Sequence, residues 1–315
     1  MKAIGGYFEL ADYGGGIFPH PNGLLLNTGR NALEVILRQL GSIRSIYLPY
    51  YTCEAVFEPI DKLHISRKFY AVNSLFELSE DIVLFEDEYL IVNNYFGIKD
   101  AYIRSLIPKY GDHLIVDCAQ ALFYATPPGI KAFYSFRKFV GVADGGVAYT
   151  GLRPDDSAFP VDDTSSHDSH LYIRRESGAE AGFADYQRNE HLLENQPIRS
   201  MSAKTRDILA HIDYSSVIQR RRENWRFLHA HLKGRNQLNL PDIDSFECPM
   251  VYPFWGDSDL RAKMHQNKIF VASYWPNVTD FDGYPEECML ADRIIPLPID
   301  QRYSSCEMEQ ILSVL

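Results

Sequence analysis

Apolar and polar positions along the chain switch between the period of a strand and the period of a helix. A short apolar run at 24–26 leads through Asn27-Thr28-Gly29 into residues 30–40, where Ala32, Val35, Ile36 and Leu40 share one helical stripe. Residues 45–48 predict a strand and 52–60 a helix with Thr52 as its N-cap. A strand at 89–93 ends in Asn94-Tyr95-Phe96-Gly97, a helix covers 101–107, and a strand at 113–116 runs into Asp117-Cys118-Ala119-Gln120. Residues 132–136 and 147–149 are two more strands, separated by Arg137, Lys138 and the Gly145-Gly146 pair. This β-α rhythm predicts an α/β fold, a three-layer, mainly parallel sheet with ligands at the carboxyl ends of its strands.

The rest of the chain has a different texture. Residues 1–23 read as an irregular glycine-rich arm, and 152–200 as a polar, turn-rich lid or interface loop, where His167 and His170 are either lid residues or, the favoured reading, solvated loop. One long amphipathic helix is expected from 203 to about 232, ending at Gly234. Strands at 250–254, 269–272 and 294–297 and helices at 259–266 and 306–315 predict a small C-terminal α+β domain. The expected division is 1–215 for arm and large domain and 216–315 for the connecting helix and small domain.

Composition narrows the function classes. A net charge of −11 argues against nucleic acid or an anionic membrane surface as partner. The basic run at 219–226 reads as the solvated face of a helix. Five cysteines, odd in number and without a CxxC pair, fit reduced cytoplasmic thiols rather than disulfides or a zinc site. There is no apolar run of transmembrane length, no secretory leader, no GxGxxG after a strand and no Walker-type lysine loop.

Three strand ends carry candidate chemistry. Thr28-Gly29-Arg30-Asn31 opens a helix, where unpaired N–H groups suit a phosphate; a plain capped helix is the alternative. Asp117 ends a buried strand, a place where a carboxylate is costly without a cation. Lys138, set between Phe136 and Phe139, is either a nucleophilic amine or one half of a solvated hairpin tip. Asp117 and Lys138 are either an ordinary ion pair or two parts of a site. Pyridoxal phosphate (PLP) wants an acid, a lysine and an anion hole together.

Over most of its length the chain resembles the DegT/DnrJ/StrS-type aminotransferases, fold-type-I PLP enzymes that mostly act on nucleotide-linked keto-sugars. TGRNAL (28–33) is similar to the family's S-G-T-x-A-L phosphate turn, PYYTCEAV (49–56) to P-x-x-T-F/W-x-A-T, and VNNYFG (92–97) to V-H-L-Y-G. DCAQALF (117–123) is similar to D-A-A-Q/H, SFRKFVGVADGG (135–146) to S-F-x-x-x-K-x-x-x-x-x-E-G-G, and Arg199 with 201–209 to R-M-x-D-I-Q-A-A.

The resemblance implies Asp117 at the pyridine nitrogen, Gln120 near the ring oxygen, and Ser135 with Gly29, Arg30 and Asn31 around the phosphate. Lys138 would be the lysine bonded to the coenzyme aldehyde and the general base. The chain departs from the pattern in three ways. Lys138 follows Ser135 by three residues rather than five, though it precedes Gly145 by seven as in the family. Cys53 holds the slot of the ring-stacking aromatic, with Tyr51 or Tyr95 as substitutes. Pro197 replaces the asparagine that reaches the partner subunit's phosphate, and Asn195 stands in. The implied activity moves an amino group from an amino acid donor to a keto acceptor, a nucleotide-linked keto-sugar of surface polysaccharide or secondary-metabolite synthesis. The active site would lie at a homodimer interface in the cytoplasm. The alternatives are a PLP enzyme of another reaction type, or a PLP-binding module without turnover.

Overall fold

The computed structural model describes residues 3–12, 14–151, 156–164, 167–280 and 283–315. After β1 (Ile4–Gly5), seven strands share one sheet: β2 (Leu24–Leu26), β3 (Ser45–Pro49), β4 (Ser66–Tyr70), β5 (Glu88–Asn93), β6 (Leu114–Cys118), β7 (Lys131–Ser135) and β8 (Gly146–Tyr149). Their order is β2-β8-β7-β6-β5-β3-β4. β8 runs antiparallel to both its neighbours, while β4, β3, β5, β6 and β7 run parallel.

Alternation along the strands builds the three layers. Ile91 of β5 and Ile115 of β6 face one core, with Leu33, Ile36 and Leu37 of α1 (Gly29–Leu40) and Ile60 of α2 (Phe57–Lys62). Leu90, Val92, Leu114 and Val116 face the other, which takes in Ile103 of α3 (Asp100–Tyr110). Strands buried on both faces read as continuous apolar runs, as these do. The expected α/β architecture with a mainly parallel sheet is what the chain adopts.

β4 was not expected. Its SRKFY sequence has no apolar run because it is an edge strand, with Ser66 and Arg67 exposed and Lys68 Nζ donating to Glu88 Oε1 at 2.6 Å. Thr52 caps no helix; its Oγ1 accepts from Asn93 Nδ2 at 2.9 Å, and α2 begins only at Phe57. Among its described residues the 152–200 stretch folds into α4 (Ser169–Ser177) and α5 (Phe183–Leu192), with His170 buried rather than solvated. Residues 152–155 and 165–166 of that stretch lie outside the described residues.

The single helix expected from 203 is two, α6 (Ala203–Ala210) and α7 (Tyr214–Leu232). The break is stabilised from both sides: Asp213 caps α7 by accepting from Ser216 N–H at 3.0 Å, and the His211 carbonyl accepts from Gly14 and Gly15 N–H at 2.6 and 2.7 Å. The basic run on α7 is not all solvated. Arg221 lies on the buried stripe with Val217, Trp225 and Leu228.

The C-terminal part comprises β9 (Val251–Trp255), α8 (Ser258–Gln266), β10 (Ile269–Phe270), α9 (Pro285–Arg293), β11 (Ile294–Pro298) and α10 (Ser305–Val314). β9 and β11 pair antiparallel. β1, from the arm, adds in parallel to β10, so the arm is not wholly irregular.

Gly146 is the tightest joint of the main sheet: a Cβ there would lie 2.2 Å from the Thr28 carbonyl oxygen, whereas one at Gly234 would meet nothing within 4 Å. Gly146→Ala should therefore destabilise the chain by about 1–3 kcal/mol, and Gly234→Ala by less than about 0.5 kcal/mol. Chemical denaturation of the two variants against the parent checks this, and equal midpoints would refute the close-contact account.

Candidate functional site

The first corner of the candidate site is built by the turn from β2 into α1. Thr28 is extended, its Oγ1 accepts from Asn31 N–H at 3.0 Å and its carbonyl from Ala32 N–H at 2.9 Å. Gly29 and Arg30 N–H have no acceptor among the described residues, so the first turn of α1 presents two free donors and the positive end of its dipole. Gly29 faces β7; a Cβ there would sit 3.7 Å from Ser135 Cβ. Gly145 (φ +126°) donates to the Asn27 carbonyl at 2.6 Å and accepts from Phe136 N–H at 3.0 Å. Asp144 locks the glycine pair from behind, accepting from Ser202 N–H and Oγ at 2.8 Å each and from Thr205 Oγ1.

Arg30 borders this corner, with Nε 3.0 Å from Glu58 Oε2. Glu58 Oε1 in turn accepts from the backbone N–H of Asn195 at 3.0 Å; the Asn195 residue itself is exposed, with φ +53°. Asn31 contributes its backbone to the turn, but its side chain is committed elsewhere, donating to Asn27 Oδ1 and the Pro197 carbonyl at 2.8 Å each.

Asp117 sits at the carboxyl end of β6, 8% exposed, with Oδ1 accepting from Ala119 N–H at 2.8 Å. Burial pushes its carboxyl up to about 6, with the charge of Lys138 and the Ala119 hydrogen bond pulling the other way. Lys138 closes the 3-10 turn Phe136–Lys138 that follows β7. The two feel each other's charge but make no direct ion pair among the described residues. Gln120 is buried; its Oε1 accepts from Phe96 N–H at 2.9 Å and its Nε2 has no partner.

Lys138 lines a cavity of about 690 Å³ together with Arg137, Arg174, Arg221, Tyr186 and Tyr274. Cys53 is half-buried; burial raises the Tyr274 hydroxyl most, with Tyr186 and then Cys53 adding to it electrostatically. Tyr95 is not brought to the cavity. Its hydroxyl donates to the Tyr51 carbonyl at 2.6 Å and its ring stacks on Tyr51 at 5.5 Å, 1% exposed.

The structure thus gathers Gly29, Arg30, Asn31 and Ser135 into one corner, Asp117, Gln120 and Lys138 beside it, and leaves the Asn195 side chain outside and Tyr95 in the core. Sequence reasoning missed Tyr274, Arg174 and Arg221. The α7 stripe carried a signal for Arg221, at i+4 from Val217 and i−4 from Trp225. Nothing local marks the other two. No helix of the described residues is long and apolar enough to cross a membrane.

No protein-family model matches the chain, and no curated protein sequence matches it. Solved structures do. The aminotransferase TlmJ from Streptoalloteichus hindustanus superposes with a TM-score of 0.67 at 14% identity, covering 99% of this chain and 97% of that one. The sugar aminotransferase CalS13 from Micromonospora echinospora gives 0.62 at 17%, covering 93% and 86%. A DegT DnrJ EryC1 StrS aminotransferase from Brucella abortus gives 0.60 at 16%, covering 93% and 84%. The chain has the fold of these aminotransferases over nearly its whole length.

Asp117 makes stability pH-dependent with a definite sign. Its folded carboxyl titrates near 6, above the ordinary 3.8. The protonated form is therefore favoured by folding, and its contribution is full below pH 3.8 and lost as pH rises through 6. The difference corresponds to about 3 kcal/mol. Asp117→Asn should flatten the fall in unfolding free energy over that window and make the coenzyme-free chain the more stable one at pH 8. Denaturant unfolding at pH 4.5 and 8 reads both changes; an unchanged slope would refute the assignment.

Proposed function

We propose that the chain is a PLP-dependent aminotransferase that moves an amino group from an amino acid to a keto acceptor carried on a sugar. The observation that carries the reading is a carboxylate and a lysine held near each other without an ion pair, beside a helix N-terminus whose donors are free. The names of the solved structures that share the fold, aminotransferases and a sugar aminotransferase among them, support it.

The residues present suit the coenzyme. Gln120 Nε2 is a buried donor without a partner, and Gly29 and Arg30 N–H are likewise unanswered. Asp117 would hold the ring nitrogen, Gln120 the ring oxygen, Gly29, Arg30 and Ser135 the phosphate, and Lys138 the aldehyde carbon. When bound, PLP supplies an electron-poor ring that takes up negative charge from the substrate carbon. Asp117 does its part by keeping a negative charge fixed out of water, where it favours a proton on the group it faces. Lys138 Nζ would be the base that accepts the substrate's α-proton and gives it back. Tyr274, which interacts electrostatically with Cys53, lines the cavity beside Lys138 and offers it an aromatic ring.

We also propose that the working form is a homodimer. The exposed large apolar side chains of Ile17, Val161, Phe183 and Leu192, which a second copy would cover, support this arrangement. Light scattering should give twice the chain mass; a monomer would overturn it.

The reading is tested by adding PLP, recording the visible spectrum, reducing with borohydride and mapping the labelled peptide. The label should fall on Lys138, and Lys138→Ala should lower the amino-donor half-reaction by at least about 10³-fold. A colourless protein, or a label on another lysine, would overturn the assignment. Coenzyme on Lys138 without any half-reaction would favour a binding module.

A further inference from the structure

Lys138 Nζ has no hydrogen-bond partner among the described residues, so the place of its amine is set by the backbone that carries it. That backbone is the turn between β7 and β8. Its far end is locked to α6 through Asp144. The stretch nearer the lysine is held by α5. Glu190 pairs with Arg137, the residue before Lys138. Asn189 Nδ2 donates to the Ala143 carbonyl at 3.2 Å, on the other side of the lysine. Consecutive residues of one helix thus hold the turn on both flanks of Lys138.

The Asn189 amide is itself held. Its Nδ2 faces a carbonyl, which accepts and cannot donate, so its Oδ1 faces His167, whose Nδ1 donates to it at 2.6 Å. The His167 carbonyl accepts from His170 Nδ1 at 3.2 Å, which ties it to α4. The bonds run in one direction, from His167 through Asn189 to the turn.

Apolar packing does not account for α5. Asn189 is the one buried residue of its ten, while Phe183 and Leu192 are 49% and 43% exposed. A helix docked for stability turns an apolar stripe inward. This one turns an amide inward, with a half-buried carboxylate beside it. Such groups bond directionally and add little net stability, so they fix position.

We propose that Asn189 and Glu190 are positioning residues that clasp the turn on both sides of Lys138 and so aim its amine at the coenzyme aldehyde. The purpose of the aim rests on the PLP reading; the clasp itself stands on the bonds from α5.

The test compares PLP, which reacts with the lysine, and pyridoxine phosphate, which has an alcohol in place of the aldehyde and binds without reacting. Asn189→Asp keeps the bond from His167 and loses the donor to Ala143; Glu190→Ala frees Arg137. Each should slow the uptake of PLP by Lys138 by about tenfold or more, because a small misplacement of a reacting group is costly. Neither should change the affinity for pyridoxine phosphate, which a merely structural role would weaken alike. His167→Asn, whose Nδ2 stands where the His167 Nδ1 stood, should keep the parent rate, and His167→Ala should not. Amide exchange at Phe139 and Val140, both bonded to the Phe136 carbonyl, should quicken in the slow variants while exchange in β6 stays as in the parent. Glu190 is only partly buried, so its variant keeps the test readable if Asn189→Asp does not fold. A Lys138 adduct formed at the parent rate in the folded variants keeps the coenzyme reading and overturns the clasp, as does an equal loss of pyridoxine phosphate affinity. Quickened exchange in the variants of a protein whose Lys138 takes up no PLP would sink the coenzyme reading and leave the clasp.

Discussion

The backbone contact between Gly146 and Thr28 is the joint on which the edge of the sheet depends. β8 pairs with β2 and β7 at once, so Gly146 stands in register with Leu26 on one side and Ser135 on the other. Because β8 runs against its neighbours, its first residue lies where β2 and β7 both end. The turn into α1 and the turn that carries Lys138 are thereby brought side by side. Any side chain at position 146 would push Thr28 and the first turn of α1 away, since its Cβ would fall 2.2 Å from the Thr28 carbonyl oxygen. The free donors of α1 and the hydroxyl of Ser135 share a corner because one glycine lets two backbones touch.

Electrostatics at this edge oppose those of the whole molecule. The chain carries a net charge of −11, yet Arg30, Arg137, Lys138, Arg174 and Arg221 converge around the carboxyl ends of β6 and β7 and the cavity beyond them. In a cavity walled by aromatic rings the effective dielectric is low, so these charges act on a bound anion far more strongly than surface lysines would. Burial at the end of β6 likewise raises the Asp117 carboxyl to about 6. A ligand that brings a cation for Asp117 relieves that cost.

What could be read from the sequence was what the backbone period carries. Ile91 against Leu90 and Val92, and Ile115 against Leu114 and Val116, announce strands buried on two faces, and the β-α order follows from them. Asp117 stood out because an acid directly after such a strand is rare on physical grounds. The edge strand β4 did not, since an edge tolerates Arg67 and Lys68. The break between α6 and α7 depends on Gly14 and Gly15, two hundred residues away in the chain by roughly the same measure that makes any long-range contact invisible to a local window. Arg174 and Tyr274 belong to that second kind: each becomes part of the site only through the neighbours that folding gives it.

The arm shows how much such distant contacts can hold. β1 pairs with β10, and the Tyr303 hydroxyl accepts from Gly5 N–H at 2.7 Å. Glu9 then bridges Arg174 at 2.9 Å and Arg302 at 2.8 Å. Burial works to raise the Glu9 carboxyl, but the charge and hydrogen bond of Arg302 outweigh it and hold the group below its ordinary value. Glu9 therefore stays ionised and keeps two cations at fixed places, one in the cavity wall and one behind Asp300. With Glu9 spent on Nε and the Gly5 carbonyl on Nη2, Arg174 presents a single remaining edge, and the arm that closes the cavity is also what orients the group inside it.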